Sequence, residues 1–485
     1  MIFSKLFKKN TIIEDRMSNA TSYSKWHAAA TEFDDLSEAK QWKQVEGTNL
    51  YDHTQIRHRL NNLRLHRAKG DNQCLLFALN EGLHGNMGGM GTNNLYGIAK
   101  LGTKQLIEDY VDEIVMSLQH IASLDNEEIS DTHKLDFFRR ASACFGRTAL
   151  MLSGGGALGH FHVGVVKALL EQDLLPDVIS GSSAGSMVTA MFGTHTNLEL
   201  HELIKPARLL SEVKKERGWL EKVLYGRSSK AEISDFEELV LNRLVPDLTF
   251  QEAYELTGRK INITIAPAEL HQTSRLLNAI TSPNVYIRKA VLASCAVPGV
   301  YPSVMLEAKN VAGERQAYLP TRRWVDGSLS DDLPAKRLAR LYGVNYYIAS
   351  MINPIVLFTK DGWEHTRVPS LVRELSHRAA ARSSRVISAF SKRYTRNWTK
   401  FNVWNSMIAS VLNQEYSANI NVYPNFHTFD FRKILSPLTE VELLELVRQG
   451  ELATWVQMER IRNNTKVSRT IDRILSELEA LNFAH

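Results

Sequence analysis

At 485 residues the chain exceeds what one hydrophobic core usually organises, so a central domain with accessory segments is the expectation. Apolar residues at 44% and charged residues at 23% exclude a disordered or fibrous chain. A formal charge of +5 draws the protein mildly toward anionic surfaces without choosing between lipid headgroups and nucleic acid, and the widely spaced Cys74, Cys144 and Cys295 exclude a disulfide framework or a four-thiolate zinc site.

The first residues, MIFSKLFKKN, lack the unbroken apolar run and small-residue cleavage site of a secretory signal. No stretch approaches the ~20 apolar residues that span a bilayer, so the sequence reads as reduced and cytoplasmic, with any membrane contact peripheral. Residues 1–145 read as a mainly helical accessory domain. Ile56, Leu60 and Leu63 recur at helical spacing, and Leu106, Tyr110, Val111, Ile114, Val115, Leu118 and Ile121 make an amphipathic helix. Between them the glycines and asparagines of Asn80–Gly97 predict a loop.

From Thr148 the pattern changes to strand, turn and helix, repeated: TALMLS, a glycine cluster, FHVGVVKALLEQ, then DVIS, a second glycine turn and AGSMVTAMFG. This alternation predicts an α/β domain on a parallel sheet, with INITIAP and NYYIAS as further strands. The sheet is expected to end near residue 350. Beyond it, Val467, Ile471, Ile474, Leu475, Leu478 and Leu481 form one stripe, the mark of a helix packed on the core.

Two turns in the sheet domain carry chemistry. Gly181-Ser182-Ser183-Ala184-Gly185 sits between a predicted strand and a predicted helix, where GxSxG folds as a tight turn presenting its serine, with small residues on either side and a helix N-terminus behind. Gly154-Gly155-Gly156-Ala157-Leu158-Gly159 has the same context, so its N–H groups can form an anion-binding nest, which in an acyl hydrolase is an oxyanion hole. The latter also fits GxGxxG, with Asp173 near the distance of a ribose-binding carboxylate. Against a dinucleotide site, Asp173 precedes the second strand, whereas such a carboxylate stands at that strand's C-terminal end.

A serine nucleophile needs a base, either histidine held by a carboxylate or a carboxylate directly. Asp326, in RRWVDGSLSDDLP, is the candidate, with Gly327 permitting close backbone approach. His365, His377 and His427 stand where a triad histidine would, without supporting context. His160 and His162 flank the glycine loop and read as packing residues, no metal-ligand spacing accompanies them, and no cofactor is expected. The HxxxxD pairs His66/Asp71 and His120/Asp125 match acyltransferase spacing, where chance predicts about one such match, and carry little weight.

Glycine loop, GxSxG serine and Asp-Gly, in this order, resemble the patatin-like phospholipase family over about 148–350, as does the segment Ala293-Ser294-Cys295-Ala296-Val297-Pro298-Gly299. Within the family the chain looks most similar to intracellular triacylglycerol lipases of fungi and plants, which share GALGHFHVGVVKALL-like and SCAVPGVYPSV-like stretches and an N-terminal helical domain. The resemblance implies a three-layer α/β sandwich with a mainly parallel sheet at 146–350, helical extensions at 1–145 and 351–485, and a Ser-Asp dyad. Ser183 would attack the acyl carbonyl, Asp326 would take its proton, and Gly154, Gly155 and Gly156 would form the oxyanion hole. Gly159, Gly181, Gly185 and Gly327 complete the motifs. Leu158 and Ser328 depart from the family's usual residues.

The substrate so implied is a fatty-acyl ester of a glycerolipid, cleaved by water or transferred to another alcohol; a non-catalytic lipid- or nucleotide-binding regulator on the same fold is the alternative. Arg367–Lys400 carries nine lysines and arginines against Glu374 alone, followed by an apolar helical face at Val403, Trp404, Met407, Ile408, Val411 and Leu412. Basic then apolar is the pattern of a segment docking on a lipid or droplet surface, though a solvated helix followed by a core helix shows it equally. No nucleic-acid reader motif accompanies the charge.

Overall fold

A computed structural model describes residues 2–125, 127–205, 208, 241–269, 273–298, 301–329, 331–353, 418–424 and 438–483. The basic and apolar segment at 367–412, together with His365, His377, Gly299 and His427, lies outside them.

Seven helices precede the sheet: α1 (Ile2–Ser18), α2 (Tyr23–Leu36), α3 (Ala39–Gln44), α4 (His53–Lys69), α5 (Asn72–Gly82), α6 (Gln105–Ser123) and α7 (Asp131–Phe145). Short polar side chains set their starts: Ser22, Asp52, Asp71 and Ser130 each accept a first-turn N–H of α2, α4, α5 and α7. The apolar stripe read for α6 is buried throughout, against Leu60, Leu63 and Leu79 of α4 and α5. Residues 83–104 form the expected loop, pinned by buried Met87, Met90 and Leu95.

The sheet is built from β1 (Arg147–Leu152), β2 (Val178–Gly181), β3 (Lys260–Pro267) and β4 (Arg275–Leu277), joined later by β7 (Trp324–Asp326), β8 (Val344–Ser350) and β9 (Ile420–Val422). Its order is β4-β3-β2-β1-β8-β9, with β7 also paired to β3. Pairs among β3, β2, β1, β8 and β9 are parallel; β4 and β7 run antiparallel to β3. A separate hairpin pairs β5 (Leu306–Lys309) with β6 (Arg315–Tyr318).

Helices cover both faces, because alternate side chains of each strand point to opposite sides. Leu150, Leu152, Ile179 and Ile348 pack toward α8 (Gly159–Leu170), while Ala149, Met151, Val344 and Ala349 pack toward α13 (Ala335–Tyr342). At the β3 end the core is closed by α9 (Ala184–Gly193), α11 (Phe250–Thr257) and α12 (Ile287–Ser294), with α10 (Asn197–Leu203) beside the α8 layer. This is the three-layer sandwich.

Three features differ from the linear division at 145 and 350. β9 extends the sheet past residue 350 by pairing Ile420 with Ile348. Ile13, Met17, Tyr23 and Trp26 of α1 and α2 join the sheet-side core rather than the core of α4–α7. The C-terminal α14 (Glu440–Phe483) spans 44 residues and serves both cores. Its Leu446, Trp455 and Ile461 pack on the sheet layer, and its Val467, Ile471, Ile474, Leu475 and Leu478 pack on α4–α7, whereas Leu481 is exposed. Where α14 crosses α8, a Cβ on Gly164 would collide with the Val447 carbonyl and one on Gly450 with the Phe161 carbonyl.

Candidate active site

β1, β2 and β8 end side by side, and the groups singled out in the sequence gather beyond their carboxyl ends, the usual place for a site in a parallel sheet. Ser183 joins β2 to α9 with φ 50° and ψ −123°, a left-handed conformation that costs ~1–3 kcal/mol for a residue with a Cβ. Surrounding bonds enforce it. Ser182 N–H donates to the Leu152 carbonyl at 3.2 Å, Ser183 N–H to Ser294 Oγ at 2.9 Å, and Ser294 in turn to the Thr264 carbonyl at 2.8 Å. The flanking glycines are required by space: a Cβ on Gly185 would strike the Leu152 carbonyl, and one on Gly181 the Gly185 carbonyl.

Ser183 stands at the N-cap of α9, yet its side chain caps nothing. The Ser183 side chain instead lies near the Asp326 carboxyl and favours its charged form. Asp326 closes β7 opposite Ile265 of β3, and is 2% exposed. Its N–H donates to the Ala296 carbonyl at 3.0 Å, so the Ala293–Pro298 segment holds the acid from behind. Burial pushes the Asp326 carboxyl up to about 6, against the opposing pull of hydrogen bonds from the Ser328 amide and the Ser183 and Ser328 side chains. Among the described residues neither Ser183 nor Asp326 has a histidine partner.

The glycine loop lies against the nucleophile: a Cβ placed on Gly154 would be 3.2 Å from Ser183 Cβ and 2.8 Å from Ser328 Cβ. Its three amides are not equivalent. Gly154 N–H donates at 2.8 Å to Asp332 Oδ1, whereas Gly155 and Gly156 N–H have no partner among the described residues. Gly156 has φ 57° and opens the short 3-10 turn leading into α8. Ala184 N–H, directly after the nucleophile, likewise lacks a partner among the described residues. In GxSxG turns that amide is an oxyanion donor, so the motif itself marks Ala184, although the sequence reading passed over it. Gly159 lets the two helix starts meet, since its Cβ would lie 3.0 Å from Ala184 Cβ, and a Cβ on Gly327 would strike the Thr264 carbonyl.

Asp332, not singled out in the sequence, is 1% exposed and binds three separate pieces of the site. Oδ1 accepts from Gly154 N–H and from Ser182 Oγ, and Oδ2 accepts from Asn353 Nδ2 at 3.2 Å. Burial also lifts its carboxyl to about 6, with the charge of Asp326 adding to the rise.

His162 is fully buried between strand ends, its Nε2 2.8 Å from the Ser153 carbonyl and its Nδ1 2.7 Å from Ser350 Oγ. A carbonyl only accepts, so Nε2 carries the proton and Nδ1 accepts from Ser350. Burial drops its pKa to about 4, which keeps it neutral and structural. His160 faces the Ala157 carbonyl at 3.1 Å. Of the two departures, Leu158 is buried in the sheet-side core and Ser328 donates its N–H to Asp326 Oδ1 at 2.8 Å. Asp173 is exposed in the turn after α8, at the opposite end of β2 from Ser183, which leaves the dinucleotide reading without a site. His66, Asp71 and Cys74 offer ligand atoms within 4.8 Å of one another, but Asp71 is the N-cap of α5 and already accepts the Cys74 amide.

Sheet, strained serine turn and the buried aspartate beside it together define an α/β protein of the patatin fold. The pattern of the patatin-like phospholipase family matches residues 150–339, and that of a domain of unknown function, DUF3336, matches residues 3–143. The chain is 32% identical over 476 residues to triacylglycerol lipase SDP1L of Arabidopsis thaliana, covering 95% of this chain and 58% of that protein. It is 32% identical over 518 residues to triacylglycerol lipase 4 of Saccharomyces cerevisiae, covering 99% of this chain and 55% of that one. With triacylglycerol lipase ptl3 of Schizosaccharomyces pombe it shares 30% identity over 475 residues, 94% of this chain and 95% of the other. The chain thus spans little more than half the length of two of these relatives and nearly all of the third. It belongs to the patatin-like phospholipase family.

Proposed function

We propose that this protein is a serine acyl hydrolase that cleaves fatty-acyl esters of glycerolipids, with triacylglycerol as its substrate class. The reading is carried by Ser183 in its strained turn, held against the glycine loop and beside the buried Asp326 carboxyl, whose charged form it favours. Asp326 takes the serine proton as Ser183 Oγ attacks the ester carbonyl, and the resulting oxyanion is received by loop and helix amides at Gly155, Gly156 and Ala184. Collapse breaks the ester C–O bond, the proton passes from Asp326 to the departing alkoxide, and water repeats the sequence on the acyl-enzyme to release the fatty acid. No histidine, metal or cofactor enters these steps.

The choice of triacylglycerol rests on the names of the three relatives. The catalytic segment of this proposal is 146–350 with β9 and α14 added, since the sheet and its helix layer run into them. Among the described residues no helix is long and apolar enough to cross a membrane. Contact with a lipid surface through the basic and apolar segment at 367–412 rests on sequence alone.

The test is fatty-acid release from triacylglycerol and phosphatidylcholine emulsions by the full chain beside Ser183→Ala. Release from triacylglycerol by the wild type, abolished in the folded variant, is the expected result. Preference for phosphatidylcholine would replace the substrate class, and equal activity in Ser183→Ala would end the reading.

A further inference from the structure

Segments leaving three strand ends, one of them the turn before the nucleophile, meet at one buried carboxylate. Asp332 Oδ1 draws together Gly154 N–H, from the loop after β1, and the Ser182 hydroxyl, from the turn after β2; Oδ2 holds Asn353, from the segment after β8. Ser182 N–H also donates to the Leu152 carbonyl at 3.2 Å, which ties the turn to the end of β1 but does not reach the loop amides. Ser153, next to Gly154, accepts from Ile352 N–H at 2.8 Å and donates its hydroxyl to the Gly154 carbonyl at 3.2 Å, so it bears on the peptide of the Gly155 amide from the other side, while Asp332 alone joins the loop to the Ser182 hydroxyl.

We propose that Asp332 is a positioning residue for acyl transfer, turning the Gly154 amide behind the loop and thereby aiming the Gly155 and Gly156 amides at the oxyanion formed on Ser183. The inference rests on Ser183 being the nucleophile. Glycines have wide backbone freedom, so a charge-assisted bond that fixes the Gly154 amide narrows the directions the next two peptides can take, and preorganised donors act only if they are already aimed when charge develops. Anchoring Ser182 through the same oxygen couples loop and nucleophile, so the distance between oxyanion donors and Ser183 is set by one group. The donors act on the transition state and not on the bound ester, so loss of the anchor should lower kcat and leave KM nearly unchanged.

The experiment compares wild type, Ser183→Ala, Asp332→Asn and Asp332→Ala on an emulsified or short-chain acyl ester. Rates are normalised to the folded protein, counted by circular dichroism and gel filtration, so that misfolded enzyme is not counted. Asparagine keeps a neutral acceptor oxygen for Gly154 and Ser182, and kcat per folded chain should fall about tenfold; alanine removes the acceptor, and the fall should be on the order of a hundredfold, with KM within about threefold in both. Alanine retaining wild-type kcat, or asparagine as impaired as alanine, would overturn the proposal. Should the alanine variant not fold, asparagine decides alone: a kcat-only loss upholds the positioning role, and unchanged kcat or a change confined to KM refutes it. A fully active Ser183→Ala would instead show that the nucleophile has been misassigned, a different outcome from any of these.

Discussion

Replacing Asp326 by asparagine should abolish turnover and stabilise the fold at the same time. Burial lifts this carboxyl from 3.8 to about 6. At ~1.4 kcal/mol for each tenfold in proton affinity, ionising it inside the fold costs ~3 kcal/mol relative to the unfolded chain. Because the folded pKa is raised, the native state binds the extra proton between roughly pH 4 and 6, so this group's contribution is fully present below 3.8 and lost as pH rises through 6. Asparagine never ionises. Its oxygen can still accept the Ser328 N–H and its amide can donate to Ser183, so the hydrogen bonds are exchanged and not orphaned. Asp326→Asn should therefore be ~3 kcal/mol more stable than wild type at pH 8 and only ~1 kcal/mol more stable at pH 4.5, measured by urea unfolding at the two pH values. Removing the neighbouring charge also eases ionisation of Asp332, which adds to the gain at pH 8. Turnover should fall by at least ~100-fold, since an amide does not accept the serine proton. A stability difference that is absent at pH 8, or equal at both values, would refute the account of Asp326 as a buried ionised base.

Ser183→Gly should be inactive yet ~1 kcal/mol more stable in thermal unfolding, because glycine tolerates φ 50° at the price of some unfolded-chain entropy. Gly450→Ala gains up to ~1 kcal/mol of helix propensity but drives a methyl into the Phe161 carbonyl; the clash should win, for a net loss of ~1–3 kcal/mol in chemical denaturation. His162 has its folded pKa depressed from 6.5 to about 4, so its contribution is present above 6.5 and lost as pH falls toward 4. His162→Gln should flatten the fall in stability between pH 6.5 and 4, and a titration of stability in that window that stays unchanged would show that His162 is not buried neutral.

Local pattern made the sheet segment legible before any tertiary contact was known. Strand runs bounded by glycines fell at β1 and β2, and the helical spacings of α6, α8 and α9 matched their buried faces, because short-range sterics and one-sided burial act within a few residues of chain. The same holds for Ser183 and the glycines around it, whose turn demands small residues at fixed offsets. Asp326 was legible as a candidate only through its Asp-Gly turn; that it reaches Ser183 depends on β7 adding antiparallel to β3, a pairing between segments about 60 residues apart in the chain.

Other features had no local mark. Asp331 and Asp332 are adjacent and identical in type, yet Asp331 pairs with Arg337 near the surface at 3.2 Å while Asp332 is sealed among three strand ends. The three loop glycines likewise read alike, and only the fold spends one amide on Asp332. β9 is three residues long, too short for any periodicity, and exists because β8 offers an open parallel edge. The stripe on α14 showed a buried face but not that one helix would serve two cores, nor that Leu481 would run past the end of its partner. What the residues determined alone was the set of turns and faces; which of them meet, and which carboxylates are buried enough to be shifted, was decided by the order of strands in the sheet, because burial and cross-strand contact belong to the packed chain and not to any segment of it.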